Sequence, residues 1–246
     1  MKKLQCIYED GDHKWYIIAR DPAKPDYVID TNEYLVCADG ESIILDPGGI
    51  EIFPAVFSAV CEVFDPTEIK TVFASHQDPD IISSLSMWME ANPALKCYIS
   101  RLWSPFIPHF GGTDETFINI PDEGMDIRLG GKLLQTVPAH YLHSSGNFNI
   151  YDPKAKILFS GDIGTALVPA EMNTSLFVEN FDEHIQYAEG FHSRWMGCEK
   201  AKTDWCERVS AMEIDMLCPQ HGTIYKGDDV KRFIEWFNQL PIAVAV

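Results

Sequence analysis

The run Ser75-His76-Gln77-Asp78-Pro79-Asp80-Ile81 sets one imidazole and two carboxylates within five residues, directly after an apolar, strand-like segment. In an extended segment, side chains two residues apart point the same way. His76, Asp78 and Asp80 can therefore converge, with Pro79 restricting the backbone between the two carboxylates. Three other places put His or Asp just past a strand-like run, where loops on a rigid scaffold carry function. They are His140 and His143 after 133–137, Asp162 after 157–161, and His221 after 216–219. Gathered at one end of a fold, His76, His143 and His221 with Asp78, Asp80 and Asp162 offer three imidazoles and three carboxylates, enough for two metal ions sharing one carboxylate. His13, His109, His184 and His192 fall in no such pattern and read as turn formers or solvated residues.

These residues need strands that end at a common edge. Alternating or apolar runs predict strands at 15–19, 33–38, 42–45 and 69–74, with turn residues Asp46-Pro47-Gly48-Gly49 closing a β-meander. Further strands are predicted near 96–99, in pairs over 127–137 and 147–159, and at 215–218. Helical spacing predicts helices over 52–64, 81–89, 181–196, 200–212 and 230–240, whereas 165–180 has no clean period. Two blocks of strands, each followed by helices, imply an α/β sandwich of two sheets with helices outside. With no repeat, linker or low-complexity stretch, residues 1–246 read as one domain.

Composition narrows the function. The formal charge of −18, with no local cluster of Lys or Arg, repels phosphate backbones and argues against nucleic-acid binding. No apolar run is long enough to cross a membrane. The apolar stretch after Met1-Lys2-Lys3 breaks off into Glu9-Asp10 before it could act as a signal peptide, so a cytoplasmic location is expected. Seven scattered cysteines without a Cys-x-x-Cys pair imply reduced thiols, and Cys218, though near His221, reads as a buried structural thiol.

The order and spacing of His76, Asp78, Asp80, His143, Asp162 and His221 resemble the metallo-β-lactamase superfamily, whose motif is His-x-His-x-Asp-His followed by distant His, Asp and His. Asp78 in place of the second His, and Pro219-Gln220-His221-Gly222, are closer to the flavodiiron branch. The segments 25–27, 30–34 and 46–49 extend the likeness to nearly the whole chain. His143-Ser144-Ser145-Gly146 resembles the superfamily's His-Thr-Pro-Gly and favours His143 over His140, which is left as a loop or supporting residue. The resemblance implies an αββα sandwich of two mixed sheets. It assigns His76, Asp78 and His143 to one metal, Asp80 and His221 to the other, and Asp162 as the bridge. Carboxylates are harder donors than imidazole, so iron is expected, with oxo, hydroxo or peroxo bridges; zinc and manganese rank behind it.

Two departures shape the expected function. The sequence offers no residues for the flavodoxin domain that flavodiiron enzymes carry, and Ile81 stands where a metal-binding His would follow Asp80. Ile81 also begins the apolar helix stripe 81, 82, 85, 88, 89 and reads equally as core, and both readings can hold at once. An open coordination position beside an apolar wall suits O2. The chain thus resembles the single-domain oxygen-binding diiron proteins connected with oxygen sensing and chemotaxis. That resemblance implies a homodimer and a chemotaxis signalling partner. An O2 or NO reductase fed by a separate electron-donor protein and a dinuclear zinc hydrolase are the alternatives. Tyr27, Trp103, Tyr141 and His140 are candidates for tuning the site.

Overall fold

The computed structural model describes residues 4–19, 28–106, 109, 113, 115–169 and 175–244. In the first sheet β1 (Leu4–Asp10), β2 (His13–Ile18), β3 (Glu33–Ala38) and β4 (Glu41–Leu45) form an antiparallel meander. It is continued in parallel by β5 (Thr71–Phe73), β6 (Lys96–Ser100) and β7 (Phe117–Ile120). The second sheet contains β8 (Asp126–Leu129), β9 (Lys132–Pro138), β10 (Phe148–Asp152) and β11 (Ile157–Gly161), all antiparallel. There β12 (Met216–Pro219) joins β11 in parallel, and β13 (Tyr225–Lys226) forms the edge.

Parallel neighbours need crossovers, and helices supply them. Helix α1 (Phe53–Cys61) leads into β5, and α2 (Pro79–Ile82) and α3 (Leu85–Ala91) lead into β6. Between β11 and β12 lie α4 (Phe181–His184), α5 (Gln186–Trp195) and α6 (Glu199–Ser210), and α7 (Asp228–Gln239) follows β13.

Period-2 alternation sorts the side chains into layers. Along β3, Tyr34 and Val36 enter the core between the sheets with Phe73, Phe148 and Phe159, while Leu35 packs outward with Val56, Val60 and Trp88 beneath α1 and α3. On the far side, Leu158 and Leu217 pack against Trp205, Phe233 and Phe237 of α6 and α7. The central strands of both sheets are buried on both faces, giving the αββα sandwich expected from the sequence.

The differences have local causes. The helical run 81–89 breaks at Ser83–Ser84, because Ser84 Oγ donates to the Pro47 carbonyl (2.8 Å) and Ser84 N–H to that of Gly48 (3.1 Å), tying the helix start to the 46–49 turn. Strands β1, β7 and β13 escaped the sequence reading: β1 is a partly exposed edge, and β7 and β13 are short. Residues 25–27, including Tyr27, and 170–174 lie outside the described residues. All seven cysteines are free thiols, and Cys218 lies in the core, where burial pushes its thiol up. Among the described residues, no helix is long and apolar enough to cross a membrane.

Candidate metal centre

The strand order explains why distant residues meet. Parallel β4 and β5 deliver Asp46 and Ser75-His76 side by side, and parallel β11 and β12 deliver Asp162 and His221. Asp78 stands at the N-cap position of α2 without a side-chain cap bond, so its carboxylate is left for the centre, and Pro79 occupies the first turn, where a missing N–H costs nothing. His143 comes from the β9–β10 connection, which Asn147 pins by donating to the Leu142 carbonyl.

The six sequence-predicted residues come together around Asp162. Its Oδ2 lies 2.7 Å from His143 Nε2 and 3.5 Å from His76 Nε2, and Asp78 Oδ2 lies 3.3 and 3.6 Å from the same two nitrogens. These four side chains offer donor atoms all within 4.8 Å of one another. The other oxygen, Asp162 Oδ1, lies 3.4 Å from His221 Nε2, which in turn is 3.3 Å from Asp80 Oδ2. One carboxylate thus presents one oxygen to each of two donor sets. His140 points elsewhere: its Nε2 donates to the Asp122 carbonyl (2.8 Å), and its ring stands edge-on to Phe148.

The rings are oriented for donation through Nε2. A carbonyl can only accept, so His221 Nδ1 carries a proton to Asp30 O at 2.7 Å, leaving a lone pair on Nε2 of the neutral ring. At His76, Ser75 Oγ donates to Asp46 Oδ2 (2.7 Å) and lies 2.9 Å from Nδ1, which therefore donates to it. Such outer partners fix tautomer and ring orientation. Asp78 is aimed in the same manner: Ser144 Oγ donates to Gln77 Oε1 (2.6 Å), and Gln77 Nε2 donates to Asp78 Oδ1 (3.0 Å), leaving Oδ2 to face the imidazoles. Asp46, Ser75, Gln77 and Ser144 were not singled out as supporting groups in sequence; Asp46 reads there as a turn residue, although its carboxylate is buried.

The loop holding His221 depends on Gly222. Its φ is +88°, and an added Cβ would sit 2.6 Å from the Ala166 carbonyl oxygen. Asn32 Nδ2 grips the carbonyls on either side, Pro219 O (3.2 Å) and Gly222 O (2.9 Å). Gly222→Ala is expected to destabilise the fold by about 1–3 kcal/mol and to displace His221. A denaturant melt together with metal content per chain checks it; an unchanged midpoint and full metal loading would contradict it.

Electrostatics favour a cation here. Burial pushes His76 and His221 down, but the facing carboxylates outweigh it: Asp162 and Asp78 hold His76 well above its ordinary value, and Asp162 and Asp80 raise His221 to about 10. Burial pushes Asp162 up, yet His76, His143 and His221 hold it well below the usual carboxylate range. Among the described residues, His76 Nε2 and Asp162 Oδ1 are buried without a hydrogen-bond partner. Buried polar atoms aimed at one another's space with mixed nitrogen and oxygen donors fit a metal pair.

The centre floors an open cavity of about 390 Å³. Its apolar wall is not Ile81, which is fully buried in the core beneath the first sheet. The wall comes instead from α5, where Phe191 and Trp195, one turn apart, stack at 5.9 Å and stand edge-on to His143 at 6.4 and 5.5 Å. Trp195 is 54% exposed. Ile29 and Glu51 complete the rim. These contributors lie far from the ligand motif, and only the helical spacing of 181–196 hinted at a packed face.

Residues 29–222 match the ODP family beta lactamase, and this range contains all six clustered residues. The chain belongs to that family. The peroxy diiron species of the chemotaxis sensor ODP is 37% identical, with a TM-score of 0.86 over 98% of this chain and 96% of that one. The apo state of the chemotaxis sensor ODP from T. denticola is 38% identical, with a TM-score of 0.87 over 98% and 95%. A flavo-di-iron protein variant from Thermotoga maritima, 21% identical, shares the fold (TM-score 0.83) over 97% of this chain and 61% of its own. An uncharacterized protein of Methanocaldococcus jannaschii is 24% identical over 85% of this chain, which spans about half (52%) of that relative's length.

Proposed function

We propose that this protein binds O2 at a pair of iron ions and serves as an oxygen sensor. The observation that carries the reading is the Asp162 carboxylate, with one oxygen toward His76, His143 and Asp78 and the other toward His221 and Asp80. His76, Asp78 and His143 would hold one ion, Asp80 and His221 the other, and Asp162 both. Likeness to the chemotaxis sensor ODP, two fifths identical at most but nearly full-length, supports iron and O2 as metal and ligand.

Iron held by these six residues in the ferrous state would supply the electrons that O2 takes up on binding. The protein's own part is to present lone pairs at fixed angles, through Nδ1 contacts to Ser75 and Asp30, and to keep water off one side. Phe191 and Trp195 do the latter, lying against the outer edge of His143. An apolar wall over a charged floor suits a small, weakly polar ligand. As a sensor the protein would pass the change of charge to a signalling partner, and by family likeness it would work as a cytoplasmic homodimer.

The test is a single addition of O2 to anaerobically reduced protein carrying two iron ions per chain. A visible absorption band that forms on mixing and outlasts the mixing time is expected. Rapid multi-turnover O2 consumption with a supplied reductant would instead make the protein a reductase, and a zinc-loaded chain that cleaves esters or lactones would make it a hydrolase.

A further inference from the structure

Helix α5 touches the candidate centre in two ways. Phe191 and Trp195 flank His143, and His192 between them turns the other way, fully buried among Phe233, Trp236 and Phe237. The protonation of that ring is fixed by its partners. Nδ1 donates to the Ala188 carbonyl at 2.8 Å, so the neutral ring has its lone pair on Nε2, and Nε2 accepts from Gly164 N–H at 3.0 Å.

Gly164 is two residues past Asp162, in the turn closed by Thr165 N–H donating to the Asp162 carbonyl (3.1 Å). Its φ is +101°, and an added Cβ would meet Leu217 Cδ2 at 2.8 Å, so this peptide has little room. Its carbonyl is gripped as well, by Tyr225 Oη donating at 3.2 Å. His192 therefore holds one face of the turn that carries the shared carboxylate, from the same helix that packs against His143.

We infer that His192 is a positioning residue for the metal pair: by accepting the Gly164 N–H it fixes the Asp162 turn relative to His143, and so sets affinity for both ions without touching either. The inference rests on Asp162 being the shared ligand. In sequence His192 reads as a turn former or solvated residue; the structure buries it, and packing alone would not require an acceptor at Nε2.

Two substitutions separate these roles. In His192→Gln the side-chain oxygen reaches about as far as Nε2 and can accept from Gly164, whereas in His192→Asn it falls short, although both replace the ring by a buried amide. Ferrous iron affinity is measured anaerobically by competition with a chromophoric chelator, and cobalt(II) absorption reports the ligand field. His192→Asn is expected to weaken iron binding about 10- to 100-fold and to alter the cobalt spectrum, with His192→Gln close to wild type. Equal losses in the two variants, or none in either, would overturn the inference while leaving the metal reading intact. A wild-type chain that binds no metal would remove both.

Should His192→Asn fail to fold, amide hydrogen exchange of the wild-type protein decides. Gly164 N–H is expected to be protected without metal and more so with iron bound; exchange as fast as in an open loop would overturn the assignment.

Discussion

Asp162→Ala is expected to abolish binding of both metal ions, taking the content from two per chain to none, whereas Asp80→Ala should remove one. The asymmetry follows from geometry. Asp162 Oδ2 faces His143 and His76, Oδ1 faces His221, and Asp80 faces only His221. Losing Asp162 also removes the one carboxylate that faces both donor sets, leaving Asp78 on one side and Asp80 on the other, so neither ion keeps a full donor set and the two would repel each other with no shared negative charge between them. Asp162→Asn keeps the shape and one acceptor but no charge, and it should retain at most one ion. Elemental analysis of anaerobically purified protein reads the outcome; two ions retained in Asp162→Ala would sink the proposed centre. The metal-free variant should remain folded, because His76 and His221 can shed the protons that Asp162 now holds on them.

That contrast marks how far the sequence could be read. His76, Asp78 and Asp80 were visible because one short segment, a loop and the first turn of α2, carries them, and Asp162 and His221 because each follows an apolar run that reads as a buried strand. Neither observation needs the third dimension, since strand ends place side chains by backbone geometry alone. The support was invisible for the opposite reason. Asp46 looks like a turn former until β4 and β5 are seen to be parallel neighbours, and then its carboxylate meets Ser75 (2.7 Å). Phe191 and Trp195 belong to a helix whose apolar spacing shows burial but not against what. Ile81 carries two readings in the sequence, a vacant ligand position by its place in the motif and a core residue by its place in the helix stripe 81, 82, 85, 88, 89, and its side chain follows the helix period into the core.

In the metal-free protein, stability is expected to fall as pH rises from about 7 toward 10, and iron binding to strengthen over the same range. Burial alone would lower His221, but Asp162 and Asp80 raise it from 6.5 to about 10, and His76 is raised as well. A group whose folded value is raised stabilises fully below its unfolded value, near pH 6.5, and that stabilisation is lost as pH climbs through the folded value. Every tenfold gain in proton affinity on folding is worth about 1.4 kcal/mol; with the shared carboxylate counted once, the loss by pH 10 is on the order of a few kcal/mol. Asp162 works in the other direction, held low by the imidazoles, so its contribution disappears only as pH falls well below 4. Iron replaces the two protons on His76 and His221, and by mass action each proton released changes the apparent binding constant about tenfold per pH unit. Denaturant melts of metal-free and iron-loaded protein between pH 6 and 10, run anaerobically, separate the curves: the metal-free one should slope downward, and the loaded one should stay flat or rise. Parallel curves would mean that the imidazoles are already neutral without metal, and that the carboxylates facing them are balanced by something other than protons.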